Sequence, residues 1–140
     1  MLMVNFTVYG PPQGKARPRF RKIGNFVQTY TPAKTKSYED EIKMFAKAAM
    51  GGADLIETPV EVFLYIKNSV PVSYSKKRIQ ACLSGQEKPI TKTDIDNIAK
   101  AFLDGMNGIV YKDDRQVVEL HATKVYAEIA GVEVLVKEHG

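Results

Sequence analysis

Residues 94–126 read DIDNIAKAFLDGMNGIVYKDDRQVVELHATKVY, and the period of their apolar positions changes partway along. Ile98, Ala99, Phe102, Leu103 and Met106 recur at three- and four-residue spacing, the mark of one apolar helical face. From Val117 to Tyr126 the residues alternate instead, as in a strand, and residues 132–137 alternate again. The two runs are joined near Ala130-Gly131, which predicts an antiparallel hairpin. Gly105 and Gly108 stand near the end of the helical run as candidate caps. A helix followed by two strands is not the alternation of a parallel array, and it points to a mixed sheet with helices.

Outward from this stretch, residues 74–83 read as a short helix and Ser84-Gly85-Gln86 as a loop. Residues 59–67 read as a strand. Val60, Val62, Leu64 and Ile66 lie on one side of it, and Phe63 and Tyr65 on the other, which predicts cover on both faces. Thr31-Pro32 starts a helix, with Thr as N-cap and Pro at the first helical position. Tyr38, Ile42, Phe45, Ala46 and Ala49 line one of its faces, and Gly51-Gly52 ends it. Val4, Phe6 and Val8 make a first strand, stopped by Gly10-Pro11-Pro12, and residues 26–30 make a second. The fold class is therefore α+β, a mixed β-sheet with flanking helices in the order β-β-α-β-α-α-β-β. No repeat or linker divides residues 1–140, which read as one domain.

A chain of 140 residues with 44% hydrophobic and 26% charged residues holds a core and is neither disordered nor fibrous. No apolar run approaches the ~20 residues that span a bilayer, and the N-terminus has no signal-peptide pattern. Cys82 is the only cysteine, so neither an internal disulfide nor a thiolate zinc site forms, as suits a reducing cytoplasm. Charge is unevenly distributed. Lys15, Arg17, Arg19, Arg21, Lys22, Lys34 and Lys36 precede the first acidic residue, whereas the last 40 residues are net acidic. Such a basic front attracts a polyanion.

If Asp96 caps the helix, Asp94 lies two residues before it in an extended approach, and both side chains point one way. They then converge on one ion, with Lys100 one turn further along. Asp113-Asp114, at the entrance to the next strand, can return a third carboxylate beside them. Oxygen ligands without His or Cys suit Mg²⁺ or Mn²⁺. Such a site serves phosphodiester hydrolysis, where a water must be activated and phosphate charge neutralised. Lys100 beside it would fix the phosphate or polarise the attacking water. Each residue has a plainer role too. Asp96 is a cap, Asp94 favours the helix dipole, Asp113-Asp114 is a turn, and Lys100 pairs with Asp96 or Asp104 on a solvated face. Asp104, two turns along, is either a partner supporting the metal ligands or, as expected, exposed. His121 and His139 receive no role. The calcium-loop pattern does not fit, and no nucleophilic triad, Gly-rich phosphate loop or organic cofactor is indicated.

Lys15, Arg17, Arg19 and Arg21 fall at every second position and share one side of an extended segment, as leading DNA contacts. Lys76, Lys77 and Arg78 come next, on a helix start where positive charge opposes the dipole. Phe20 is either a wedge into DNA or a core contact.

The run from Asp94 to Leu120 resembles the signature of the RusA family of Holliday junction resolvases, roughly D-x-D-N-x-x-K-x-x-x-D-x-x-N-G followed by D-D-x-Q-[IV]. Looser similarity takes in Gly10-Pro11-Pro12, Thr31-Pro32 and the basic helix near Lys76. The family often has Pro where Thr93 stands. The resemblance implies a RusA-like fold, with Asp94, Asp96 and Asp114 as catalytic metal ligands, Asp113 as the lesser choice for the third, and Lys100 as the catalytic lysine. It also implies Mg²⁺ (Mn²⁺ substituting), a homodimer, a bacterial cytoplasmic setting of host, phage or prophage origin, and paired nicks in four-way junction DNA. A two-fold dimer matches the two equivalent strands of a junction. Two other readings stand beside it: a protein that binds branched DNA without cutting it, and a structural or metal-binding protein with an incidental acidic cluster.

Overall fold

The computed structural model describes residues 3–15, 19–30, 33–91 and 93–140, except the side chains of residues 19, 20, 21, 30, 34 and 35. Thr31, Pro32 and Arg17 lie outside the described residues. Strand β1 is Met3–Tyr9, β2 Arg19–Ile23, β3 Phe26–Tyr30, β4 Val60–Ser69, β5 Val117–Ala127 and β6 Gly131–Glu138. Helix α1 is Ala33–Met50, α2 Lys76–Leu83 and α3 Ile95–Met106, and a 3₁₀ turn covers Asp114–Gln116. The α+β class stands. The segment read as a basic extended loop supplies an additional strand, because residues 19–23 pair antiparallel with β3. Helix α2 starts at Lys76 instead of residue 74, since Ser75 caps it by accepting from the Arg78 amide at 3.2 Å.

The main sheet has the order β1-β6-β4-β5. β6 pairs antiparallel with β1 and β4, and β4 pairs parallel with β5. The predicted hairpin between β5 and β6 is therefore wrong, because β4 lies between them. Residues 128–130 step over the end of β4, where Ser69 faces Ala127 and Lys67 faces Gly131. A short link between two alternating runs looks the same in sequence whether or not a third strand is inserted. β4 is well suited to the centre: Val60, Val62, Leu64 and Ile66 are all buried.

Helices α1 and α3 build the core against that buried face. Ile42 of α1 and Phe102 of α3 are fully buried, and the Tyr38 and Phe102 rings meet edge to face with centroids 5.7 Å apart. Gly105 is no cap. It sits inside α3 where the helices touch, and a Cβ there would lie 2.7 Å from Cγ2 of Ile42. Gly108 does take a positive φ, of 74°, just past the helix. The opposite sheet face is less covered than expected. Tyr65 is 44% exposed, and Phe63, stacked on His121 at 4.6 Å, lines a shallow depression made by strand residues alone.

Candidate metal centre and nucleic-acid interface

The first turn of α3 carries two acids. Asp94 is the N-cap, with φ −68° and ψ 139°, and its carbonyl accepts from the Ile98 amide at 3.1 Å. The helix thus begins two residues before the sequence reading placed it. Asp94 and Asp96 occupy the cap and the second helical position, not alternate positions of an extended approach. The first helical hydrogen bond, from the Ile98 amide to Asp94, already encloses Asp96 in the turn. The Asp94 side chain makes no capping hydrogen bond to the helix. It accepts from the Asn97 side-chain Nδ2 at 3.5 Å. Asp94 and Asp96 are exposed at the positive end of the helix dipole, where carboxylates are favoured.

The second acidic element is the 3₁₀ turn. Asp113 caps it, accepting from the Arg115 main-chain amide at 2.8 Å and from Arg115 Nε at 3.1 Å. Those bonds, the main-chain one first, hold its carboxyl below the usual range. Gln116 accepts from the Asp113 amide at 2.9 Å and donates to the carbonyls of Ile56 at 2.7 Å and Thr58 at 3.0 Å. Asp113 is thus committed to the turn, while Asp114 is its first, half-buried residue.

Tyr111 links the two elements. It is fully buried and donates its hydroxyl to the Leu103 carbonyl of α3 at 2.8 Å. Burial pushes its pKa far up, and the nearby carboxylates of Asp114, Asp104 and Asp113 add to this. Asp104 is more enclosed than predicted, at 19% side-chain exposure, because it is held by cations. The Lys15 ammonium contacts its Oδ2 and lies 3.3 Å from Glu39, and Lys100 Nζ is 3.7 Å from the same Oδ2. The Asp104 bond is the main cause raising the Lys15 pKa. The Lys15 amide also donates to the Asn97 carbonyl at 3.1 Å, and a Cβ on Gly14 would lie 2.9 Å from Asn97 Cβ. The connection leaving β1 is thus laid along the first turn of α3.

The oxygens of Asp94, Asp96 and Asp114 do not close into one cluster. Among the described residues, the group of three metal-ligand side chains lying within 4.8 Å of one another is Glu61, Glu119 and His139. There the His139 ring nitrogen lies 3.4 Å and 3.3 Å from the two carboxylates, and its main chain is pinned by a 2.8 Å bond to the Pro59 carbonyl. Contacts of the His139 ring with both acids account for that arrangement. The donor set of Asp94, Asp96 and Asp114 is all carboxylate oxygen, and the Asp94 carboxylate is not spent on capping the helix amides. Both features fit a hard divalent cation.

Of the basic candidates, Arg19 and Arg21 lie in β2 opposite Tyr30 and Gln28. The side chains of Arg19, Arg21 and Phe20, and all of Arg17, fall outside the described residues. The β2–β3 hairpin projects apolar groups into solvent, with Phe26 78% exposed. Lys76 and Lys77 are exposed. Arg78 is engaged within the chain, 3.7 Å above the Tyr74 ring and 3.0 Å from Glu87.

A family model described as endodeoxyribonuclease RusA matches residues 9–137. The chain belongs to the RusA family. It is also similar to the uncharacterized protein YqaN of Bacillus subtilis (strain 168), at 36% identity over 137 residues and 96% of each chain. RusA proteins are Holliday junction resolvases that bind branched DNA and in general depend on metal. No helix among the described residues is long and apolar enough to cross a membrane.

The RusA match takes in α3, the 3₁₀ turn and the basic hairpin together. Sequence reading missed four residues that hold this frame. Gln116 and Asn97 were visible only as members of the motif, and Tyr111 only as a residue between its two elements. Lys124 donates to the Thr93 carbonyl at 2.8 Å, which anchors the approach to α3.

Proposed function

We propose that the chain is a Mg²⁺-dependent endodeoxyribonuclease that resolves four-way DNA junctions by paired nicks. It acts as a homodimer in bacterial DNA recombination and repair, with residues 1–140 forming one endonuclease domain and Mn²⁺ able to substitute. The observation that carries this reading is the packing of the two acidic elements of the RusA motif around Tyr111. Asp94, Asp96 and Asp114 would hold the ion, which supplies a lowered water pKa and charge neutralisation at the phosphate. Asp113 is spent on the turn. Lys100, 63% exposed, meets the scissile phosphate as its charge grows. The basic hairpin and Lys76 and Lys77 hold the junction backbone, whose shape distinguishes it from duplex.

The test is cleavage of a labelled four-way junction and a matched linear duplex in Mg²⁺, with wild type and Asp96→Asn. Paired nicks in the junction alone, lost in the variant while binding persists, are the expected result. Binding by wild type without cleavage in Mg²⁺ or Mn²⁺ would assign a non-catalytic junction-binding role instead.

A further inference from the structure

One oxygen of Asp104 serves two lysines. Lys15, entering from the β1–β2 connection, touches Oδ2, and Lys100, one helical turn before Asp104, lies 3.7 Å from the same atom. The two ammoniums are not equally placed. Lys15 is 26% exposed and shared with Glu39, whereas Lys100 is 63% exposed. Exposed pairs four residues apart on a helix are weak, and the enclosed contact dominates. Asp104 is therefore neutralised mainly by Lys15.

We propose that Lys15 is a positioning residue for Lys100. By occupying the Asp104 carboxylate, with Glu39 behind it, Lys15 leaves the Lys100 ammonium free to leave its own helix and meet a phosphate. Without Lys15, the partly enclosed Asp104 carboxylate would face Lys100 as the remaining cation seen there, and would hold it back. The same main-chain anchor, Lys15 to Asn97 at 3.1 Å, sets this clamp where the connection leaving β1 meets α3. The inference rests on the reading of Lys100 as the phosphate-binding lysine, and it assigns Lys15 to catalysis instead of to DNA contact.

The experiment is a double-mutant cycle on junction cleavage, read as kcat and KM, with folding checked by thermal melting. Lys15→Met is expected to lower kcat about three- to tenfold with KM within about twofold, and Lys15→Arg to retain the rate. Adding Asp104→Asn to Lys15→Met should restore most of the loss, because no carboxylate then holds Lys100. A rise in KM alone would make Lys15 a DNA contact and overturn the proposal. So would an Asp104→Asn change that deepens the loss, since a merely structural clamp behaves that way. If Lys15→Met does not fold, the double variant is compared with Asp104→Asn alone. Equal kcat supports the proposal, and a further fall of about threefold or more overturns it. Absence of cleavage by wild type would sink the nuclease reading instead. Cleavage by wild type, lost in Asp96→Asn but unchanged in Lys15→Met, would sink only this inference.

Discussion

The side-chain amide of Gln116 donates to the main-chain carbonyl of Ile56, sixty residues earlier, at 2.7 Å. The same side chain accepts from Asp113 and donates to Thr58, so one glutamine bonds three main-chain groups. It fixes the 3₁₀ turn that presents Asp114 to the segment entering β4. Tyr111 fixes the same region to α3 from the other side.

Gln116→Ala should therefore loosen Asp114 as well as the fold. Loss of the amide leaves the Ile56 carbonyl and the Asp113 amide without that partner, at a cost of about 1–3 kcal/mol. The Mg²⁺ concentration for half-maximal junction cleavage should rise, because Asp114 is no longer held in place. Urea unfolding and a Mg²⁺ titration check the two effects. A destabilised variant with an unchanged Mg²⁺ requirement would separate Gln116 from the proposed metal centre.

Gly105→Ala should destabilise despite better helix propensity. Alanine gains about 1 kcal/mol over glycine in a helix interior. Here its Cβ would meet Ile42 at 2.7 Å and 3.0 Å, and Ile42 is fully buried between packed helices. Overpacking of this kind costs about 1–3 kcal/mol, so the net change is expected to be a lower urea midpoint. An equal or higher midpoint would mean that α1 moves away at no cost.

What could be read in the sequence was mostly local. The alternation of β4, the 3.6-residue period of α3 and the Gly51-Gly52 stop depend on neighbours within a few residues, and each is found. What escaped depends on distant partners. Nothing near residues 128–130 announces that β4 separates β5 from β6. Nothing near Gly105 announces Ile42, and nothing near Asp104 announces a lysine 89 residues away. The helix start was misplaced because Asp94 and Asp96 are equally good cap residues by type. The acidic motif was legible as a pattern, but its supports were not, since Gln116 and Tyr111 act through main-chain carbonyls that carry no side-chain signature.

The basic surfaces differ in how they should respond to charge removal. Replacing Arg17, Arg19 and Arg21 by Ala should lower the salt slope of junction binding by up to about 2.7, at ~0.9 per phosphate contact. Lys76→Ala with Lys77→Ala should lower it by up to about 1.8 on the same arithmetic. Arg78→Ala should change the slope less, because its guanidinium is occupied by Tyr74 and Glu87. Binding isotherms across a salt series check this. An unchanged slope in the triple variant would remove the hairpin from the interface.

The Lys15 clamp also predicts a pH dependence of stability. Its hydrogen bond to Asp104 raises the folded-state pKa above the ordinary 10.5. A raised pKa contributes stability that is fully present below 10.5, the unfolded value, and lost as pH climbs through the higher folded value. Lys15→Met lacks this contribution at every pH. The gap in urea midpoint between wild type and Lys15→Met should therefore be constant around neutral pH and shrink above 10.5. Lysines and tyrosines remote from Asp104 contribute alike in both proteins and cancel in the difference. A gap that stays constant through that alkaline range would show that Lys15 stabilises through its methylene stem, leaving Asp104 free to hold Lys100.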